Sequence, residues 1–222
     1  MSFDQGFRVE VVIRAPREVV WRALTDPAEI ARWFGWEYES LTEEIKMIFQ
    51  DGVTQQPPER LLLSWEQTIE LVADGPDVTI VRIVKPGPLA TASWDDLYDE
   101  MVRGWHGFLV QLRHYLERHP GEDRRTLWLD GTASPTAVLA ALDADTPGET
   151  WVQTRYQRVT AVEAFGGGLV AVLSSEPLDS DAPCKVQVTV TTHGLDDGQF
   201  AKLREQTSAR WQALAPEGTV TP

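Results

Sequence analysis

Residues 93–117, SWDDLYDEMVRGWHGFLVQLRHYLE, decide the fold. At about 100° per residue, Leu97, Met101, Trp105, Phe108, Leu109, Leu112, Tyr115 and Leu116 fall within an arc of about 120°, whereas Asp95, Asp99, Arg103 and Glu117 lie outside it. The segment reads as one long amphipathic helix whose apolar stripe must lie on something apolar. Ser93 with Asp96 has the spacing of a capping box, and an acidic first turn with Arg113 and Arg118 near the end suits the helix dipole.

Upstream, residues 7–14 alternate, with Phe7, Val9, Val11 and Ile13 on one face and Arg8, Glu10 and Arg14 mostly on the other, which predicts a half-buried strand. Pro16 opens a short helix. Asp26-Pro27-Ala28-Glu29 supplies an N-cap, a first-turn proline and a capping acid for a second helix that stops at Gly35. Strand-like runs follow at 36–39, around 46–49, at 60–65, around 68–72 and at 78–84, with turns at Asp51-Gly52, Pro57-Pro58 and Asp74-Gly75-Pro76. A strand, two short helices, an antiparallel meander and a closing helix make an α+β domain in which the helix covers one face of a curved sheet, the helix-grip arrangement.

The second half repeats this order in reduced form. Residues 134–143 echo 15–26, and 203–214, with Trp211, echo 97–108, with Trp105. Runs at 151–159, 162–165, 169–174 and 185–192 read as strands, with Gly166-Gly167-Gly168 as a hairpin turn. Pro120-Gly121 ends the long helix. Two domains are expected, 1–119 and 124–216, the second with a shortened helical insert, a short final helix and a small or filled cavity.

Charge limits the partners. The 222 residues carry a net charge of −14, with twelve basic against twenty acidic residues up to residue 120 and eight against fourteen beyond it. Neither half offers a basic stripe, so nucleic acid and membrane surfaces are poor partners, and a small molecule or a basic protein patch is left. The single Cys184 rules out an intrachain disulfide and fits a reducing compartment. With no signal-like start and no apolar run of about 18 residues, the expected location is cytoplasmic.

Catalytic chemistry is thinly represented. The four histidines, His106, His114, His119 and His193, lack metal-ligand spacing, and no glycine loop of the phosphate-cradling kind precedes a helix and lysine. No metal and no cofactor are expected. His106 and His114 lie at opposite edges of the long helix's apolar arc and read as solvated or capped, with a rim-lining role open to either. The pairs Asp95-Asp96 and Glu43-Glu44 read as caps and solvated surface.

Residues 15–27, APREVVWRALTDP, followed by Ala31-Arg32-Trp33-Phe34-Gly35, closely resemble the opening signature of the START-like (SRPBCC) superfamily. Residues 57–65, PPERLLLSW, and 104–109, GWHGFL, are similar to its heat-shock-protein-90 ATPase activator homologue branch, so the resemblance spans residues 7 to 118. The resemblance implies a helix-grip fold. It does not fix an activity, because such proteins include lipid carriers, hormone receptors, polyketide cyclases and co-chaperones. The glycine-rich strand usual after the second helix is shortened here to roughly 41–52, which implies a smaller or more open cavity.

Nine tryptophans are the remaining signal. Trp36, Trp65 and Trp105 belong to elements that should border the space between sheet and helix, with Leu63, Val81 and Ile83 from the strands and Met101, Phe108 and Leu112 from the helix. These nine residues either form plain core or line an apolar pocket. Gly104 and Gly107 each cost about 1 kcal/mol in a helix interior, so either a neighbour approaches closely or a ligand needs the room. The expected function is non-enzymatic binding of a small apolar or amphipathic molecule between sheet and long helix. The family branch implies a chaperone-binding or other protein-interaction role as the alternative, and a polyketide cyclase or aromatase activity as the third.

Overall fold

The computed structural model describes residues 6–64, 66–86, 94–145 and 147–221, with the backbone alone for 94–101 and 145. The chain divides into two compact units, Met1–Gly35 with Glu39–Gly121, and Trp36–Tyr38 with Glu122–Pro222.

The first unit opens with strand β1 (Phe7–Ile13), whose residues alternate strictly between buried and exposed. Helix α1 (Arg17–Thr25) follows Pro16, and α2 (Pro27–Ile30) is capped by the Asp26 carboxylate, which accepts from the Ala28 amide at 2.9 Å. The sheet is completed by β2 (Thr54–Gln56), β3 (Arg60–Leu62), β4 (Thr68–Ala73) and β5 (Thr79–Lys85) in the antiparallel order β1-β5-β4-β3-β2. Register sets one face in the core: Val11 pairs Val81, which pairs Leu71, and all three are buried. The opposite face carries a charge ladder in which Arg82 donates to Glu10 at 2.9 Å and to Glu70 at 3.2 Å. Helix α4 (Trp94–Arg118) packs against β1. Its far end is tied down twice: the Arg14 amide donates to Glu117 at 2.9 Å, and the Tyr115 hydroxyl donates to Glu29 at 2.6 Å. Ser93 of the expected capping box lies outside the described residues.

One expectation fails here. Strands were expected at 36–39 and 46–49, but residues 41–49 form helix α3 (Leu41–Phe49). Leu41, Ile45 and Phe49 are spaced by four, with Ile45 and Phe49 buried, and Glu43 and Glu44 occupy the first turn. Phe49 meets Trp33 and Phe34 edge-on at 5.8 and 5.1 Å, so the helix is held by aromatic packing that a four-residue window cannot reveal.

The second unit runs β6 (Arg124–Ala133), α5 (Pro135–Asp145), β7 (Gly148–Gln153), β8 (Gln157–Val162), the short turn α6 (Ala164–Gly167), β9 (Leu169–Ser174), β10 (Cys184–His193), α7 (Asp197–Leu214) and β11 (Thr219–Thr221). Its antiparallel sheet is ordered β11-β6-β10-β9-β8-β7. Without β11 this is the order of the first sheet, strand for strand, and the structure is two tandem helix-grip units. The helical insert is reduced to α5. The final helix is not short: a full capping box between Asp196 and Gln199 starts it early, and it spans 18 residues. Leu129, Val188, Val190, Phe200, Leu203 and Trp211 lie in the core of this unit. Between β8 and β9 the chain turns through left-handed Phe165 and Gly166.

Residues 36–38 are built into this second unit. Trp36 stacks on Trp128 at 4.1 Å and 20°. The Glu37 amide donates to Thr126 Oγ1 at 2.7 Å, and its carboxylate accepts from the Thr126 amide at 2.6 Å. Because β11 pairs only residues 128–130 of β6, Glu37 satisfies a strand amide beyond the reach of β11.

Candidate functional site

A cavity of about 210 Å³ opens on one side of the first unit, lined by Phe34, Ile48, Leu63, Gln67, Gly104, Trp105 and Phe108. Four segments build it. Phe34 follows α2, where the Trp33 indole donates to the Ala23 carbonyl at 2.8 Å and fixes the turn. Ile48 comes from α3. Leu63 and Gln67 flank the β3–β4 turn, which is closed by the Leu63 amide donating to the Gln67 carbonyl at 2.8 Å. Gly104, Trp105 and Phe108 come from adjoining turns of α4.

The aromatic walls hold one another. Phe34 and Phe108 lie 4.5 Å apart, and Trp105 stands edge-on to Phe108 at 6.1 Å and to Phe49 at 6.5 Å. The indole Nε1–H of Trp105 donates to Gln67 Oε1 at 2.8 Å. Gln67 is buried and, among the described residues, is the one polar lining side chain; no charged side chain of those residues joins it. Among the described residues, a Cβ built on Gly104 meets nothing within 4 Å outside the adjoining helix backbone, so this glycine serves no close contact with them.

Of the nine residues expected here, Leu63, Trp105 and Phe108 line the cavity. Val81, Ile83 and Leu112 are fully buried in the core, because the space lies at the β3–β4 corner rather than under the middle of the sheet. Trp36 is a correction: it belongs to the second unit, where the Trp128 ring covers it. Trp65 lies outside the described residues, and so does the side chain of Met101. Sequence reasoning missed Phe34, Ile48 and Gln67. Phe34 sits in the quoted Trp33-Phe34-Gly35 signature and Ile48 follows from the helical period of α3, but nothing in the sequence marks Gln67.

The histidines also depart from expectation. His114 is buried, 1% exposed, with its ring 4.9 Å from that of His119, and neither lines the cavity. His106 is half-buried, and burial pushes its imidazole below the ordinary value, which favours the neutral ring. In the second unit a space of only about 60 Å³ lies against α7, walled by residues that include Val188, Val190 and Trp211.

No protein-family model matches the chain, and no curated protein is recognisably similar in sequence. Several solved structures are similar to it. The crystal structure of DynU16, a putative protein in the dynemicin biosynthetic locus, is 20% identical over 95% of this chain and 96% of its own, with a TM-score of 0.40. The di-domain ARO/CYC BexL from the BE-7585A biosynthetic pathway is 13% identical over 89% and 87%, with a TM-score of 0.41. The solution structure of Aha1 from Colwellia psychrerythraea is 18% identical over 53% of this chain and 99% of its own, with a TM-score of 0.39. These are likenesses of fold. Among the described residues, no helix is long and apolar enough to cross a membrane.

Proposed function

We propose that this START-like protein is a non-enzymatic binder, and that its first unit takes one small apolar or amphipathic molecule between sheet and α4. The observation that carries this reading is the cavity of about 210 Å³ walled by Phe34, Ile48, Leu63, Trp105 and Phe108, with one carboxamide and no charge among the described lining residues. A concave apolar wall with few polar groups is the usual composition of a ligand site. Acid–base or nucleophilic chemistry needs an acid, a base or an activated nucleophile within reach of the bound molecule, and the described lining side chains supply none. The acidic balance of both halves supports a small molecule over nucleic acid or a membrane surface.

The test is titration of the full chain with 6-propionyl-2-(dimethylamino)naphthalene, a neutral fluorophore that accepts energy from tryptophan. We expect saturation at about one site per chain and loss of tryptophan emission, with Trp105→Phe keeping the fold and losing much of that quenching. Absence of saturable binding would discard the pocket reading and put a protein-interaction role, tested by co-elution with the chaperone from the same source, in its place.

A further inference from the structure

Resting on that pocket reading, we infer that the ligand is a neutral, flat molecule of one or two fused rings that presents a hydrogen-bond acceptor to Gln67, with Gly104 setting the size limit.

The polarity follows from the Trp105–Gln67 hydrogen bond. An indole Nε1–H can only donate, so the carboxamide atom 2.8 Å from it must be the oxygen, and this fixes which way the amide faces. The donor end, Nε2, is then the polar group left to read a ligand. It calls for a carbonyl, ether or ring-nitrogen acceptor. Gln67 is only 7% exposed, so water competes poorly for that donor. An ionised ligand would be stripped of its water among Phe34, Ile48, Leu63, Trp105 and Phe108 with no counter-charge among the described lining residues, which disfavours carboxylates and amines.

The size follows from the volume and from Gly104. A dry apolar cavity of about 150 Å³ accepts benzene, so about 210 Å³ leaves room for a second fused ring. Three aromatic rings, Phe34, Trp105 and Phe108, wall this space and suit a planar aromatic guest, which can meet them stacked or edge-on. Gly104 lies in the interior of α4, where glycine is unfavourable, yet among the described residues no atom outside the adjoining helix backbone stands within 4 Å of where its Cβ would be. The space a side chain would fill at this position is part of the cavity. Gly104 is therefore a specificity-determining residue.

Calorimetric titration of the full chain with naphthalene, 2-acetylnaphthalene and 2-naphthoate, the last ionised at about neutral pH, tests the inference. We expect the ketone to bind about fivefold more tightly than the hydrocarbon, the gain of one neutral hydrogen bond, and the carboxylate to bind at least about tenfold more weakly than the ketone. Gln67→Leu should erase the preference for the ketone while naphthalene still binds. Trp105→Phe, which frees the amide to turn, should weaken the same preference and serves if the leucine variant does not fold. Gly104→Leu should abolish binding of both neutral compounds with an unchanged circular dichroism spectrum. If naphthalene binds but the ketone gains nothing, if Gln67→Leu keeps the gain, or if naphthoate binds as well as the ketone, this inference fails and the pocket reading stands. If no neutral compound binds the full chain, both fail.

Discussion

Trp105 and Gln67 share a 2.8 Å hydrogen bond across the wall of the first unit's cavity, joining the middle of α4 to the residue just before β4. The bond ties helix to sheet at a corner where packing leaves space. It also holds a large ring half-buried rather than closed in the core. A polar contact at such a place positions a wall more than it stabilises a fold, since a neutral hydrogen bond contributes only about 1 kcal/mol net.

Gly104→Ala gives the first prediction. The new methyl meets nothing within 4 Å among the described residues outside the adjoining helix backbone, and alanine is favoured over glycine in a helix interior, so thermal or urea unfolding should show stabilisation of about 0.5–1 kcal/mol. Gly218→Ala should do the opposite, because its Cβ would stand 2.5 Å from Trp211 Nε1 and 3.0 Å from the Ala215 carbonyl oxygen. Equal effects from the two substitutions would contradict this account.

Glu37 gives the second. Its carboxylate accepts from the Thr126 amide, so Glu37→Ala leaves a strand amide unsatisfied and should destabilise by about 1–3 kcal/mol. Glu37→Gln keeps an acceptor oxygen and should cost less. A fragment of residues 122–222 should likewise be less stable than the same unit in the full chain, because Trp128 loses the stacked Trp36 ring. Denaturant midpoints for the two variants and the fragment decide this.

The third concerns pH. Burial lowers the folded-state pKa of His106 below its ordinary value of 6.5, so the folded state binds fewer protons than the unfolded state in acid. The stability tied to the neutral ring is fully present above about pH 6.5 and is lost as pH falls through the depressed value. Replacing the imidazole, as in His106→Gln, should flatten the part of the stability profile that falls below about pH 6.5. An unchanged slope on chemical denaturation would assign the acid limb to other groups.

How far the sequence reveals this arrangement depends on how local the deciding physics is. Helix α4 was legible because twenty-five residues repeat one apolar period, and β1, β4 and β5 because alternation with one buried face leaves a single reading. Helix α3 escapes a sequence reading because a short apolar run such as Lys46-Met47-Ile48-Phe49 suits either structure, and only Leu41 and Ile45 upstream reveal the period. The place of Trp36 is hidden for another reason: no pattern within a segment says which sheet it will join. At the cavity, Gly104 carried a visible signal, its cost in a helix, but the meaning of that cost needed the empty space beside it. Gln67 carried none, since its role comes entirely from an indole 38 positions away.

Two fully folded tryptophans give the last prediction, because they differ in what lies beside them. Trp33 is 0% exposed, touches Phe34 and Phe49 edge-on, and donates to the Ala23 carbonyl. Its truncation leaves a closed hole and an orphaned carbonyl, so Trp33→Ala should cost about 3–5 kcal/mol or more. Trp105 is of similar size and also donates one hydrogen bond, but it lines an existing space open to one side. Truncation there enlarges a cavity that water or a ligand already reaches, so Trp105→Ala should cost considerably less than Trp33→Ala in the unliganded protein. Adding a bound neutral aromatic should then widen the gap in thermal midpoint between wild type and Trp105→Ala, since ligand stabilises only the protein that retains its wall. Two equally large losses, with no widening on ligand addition, would mean that Trp105 is ordinary core and that the space beside it binds nothing.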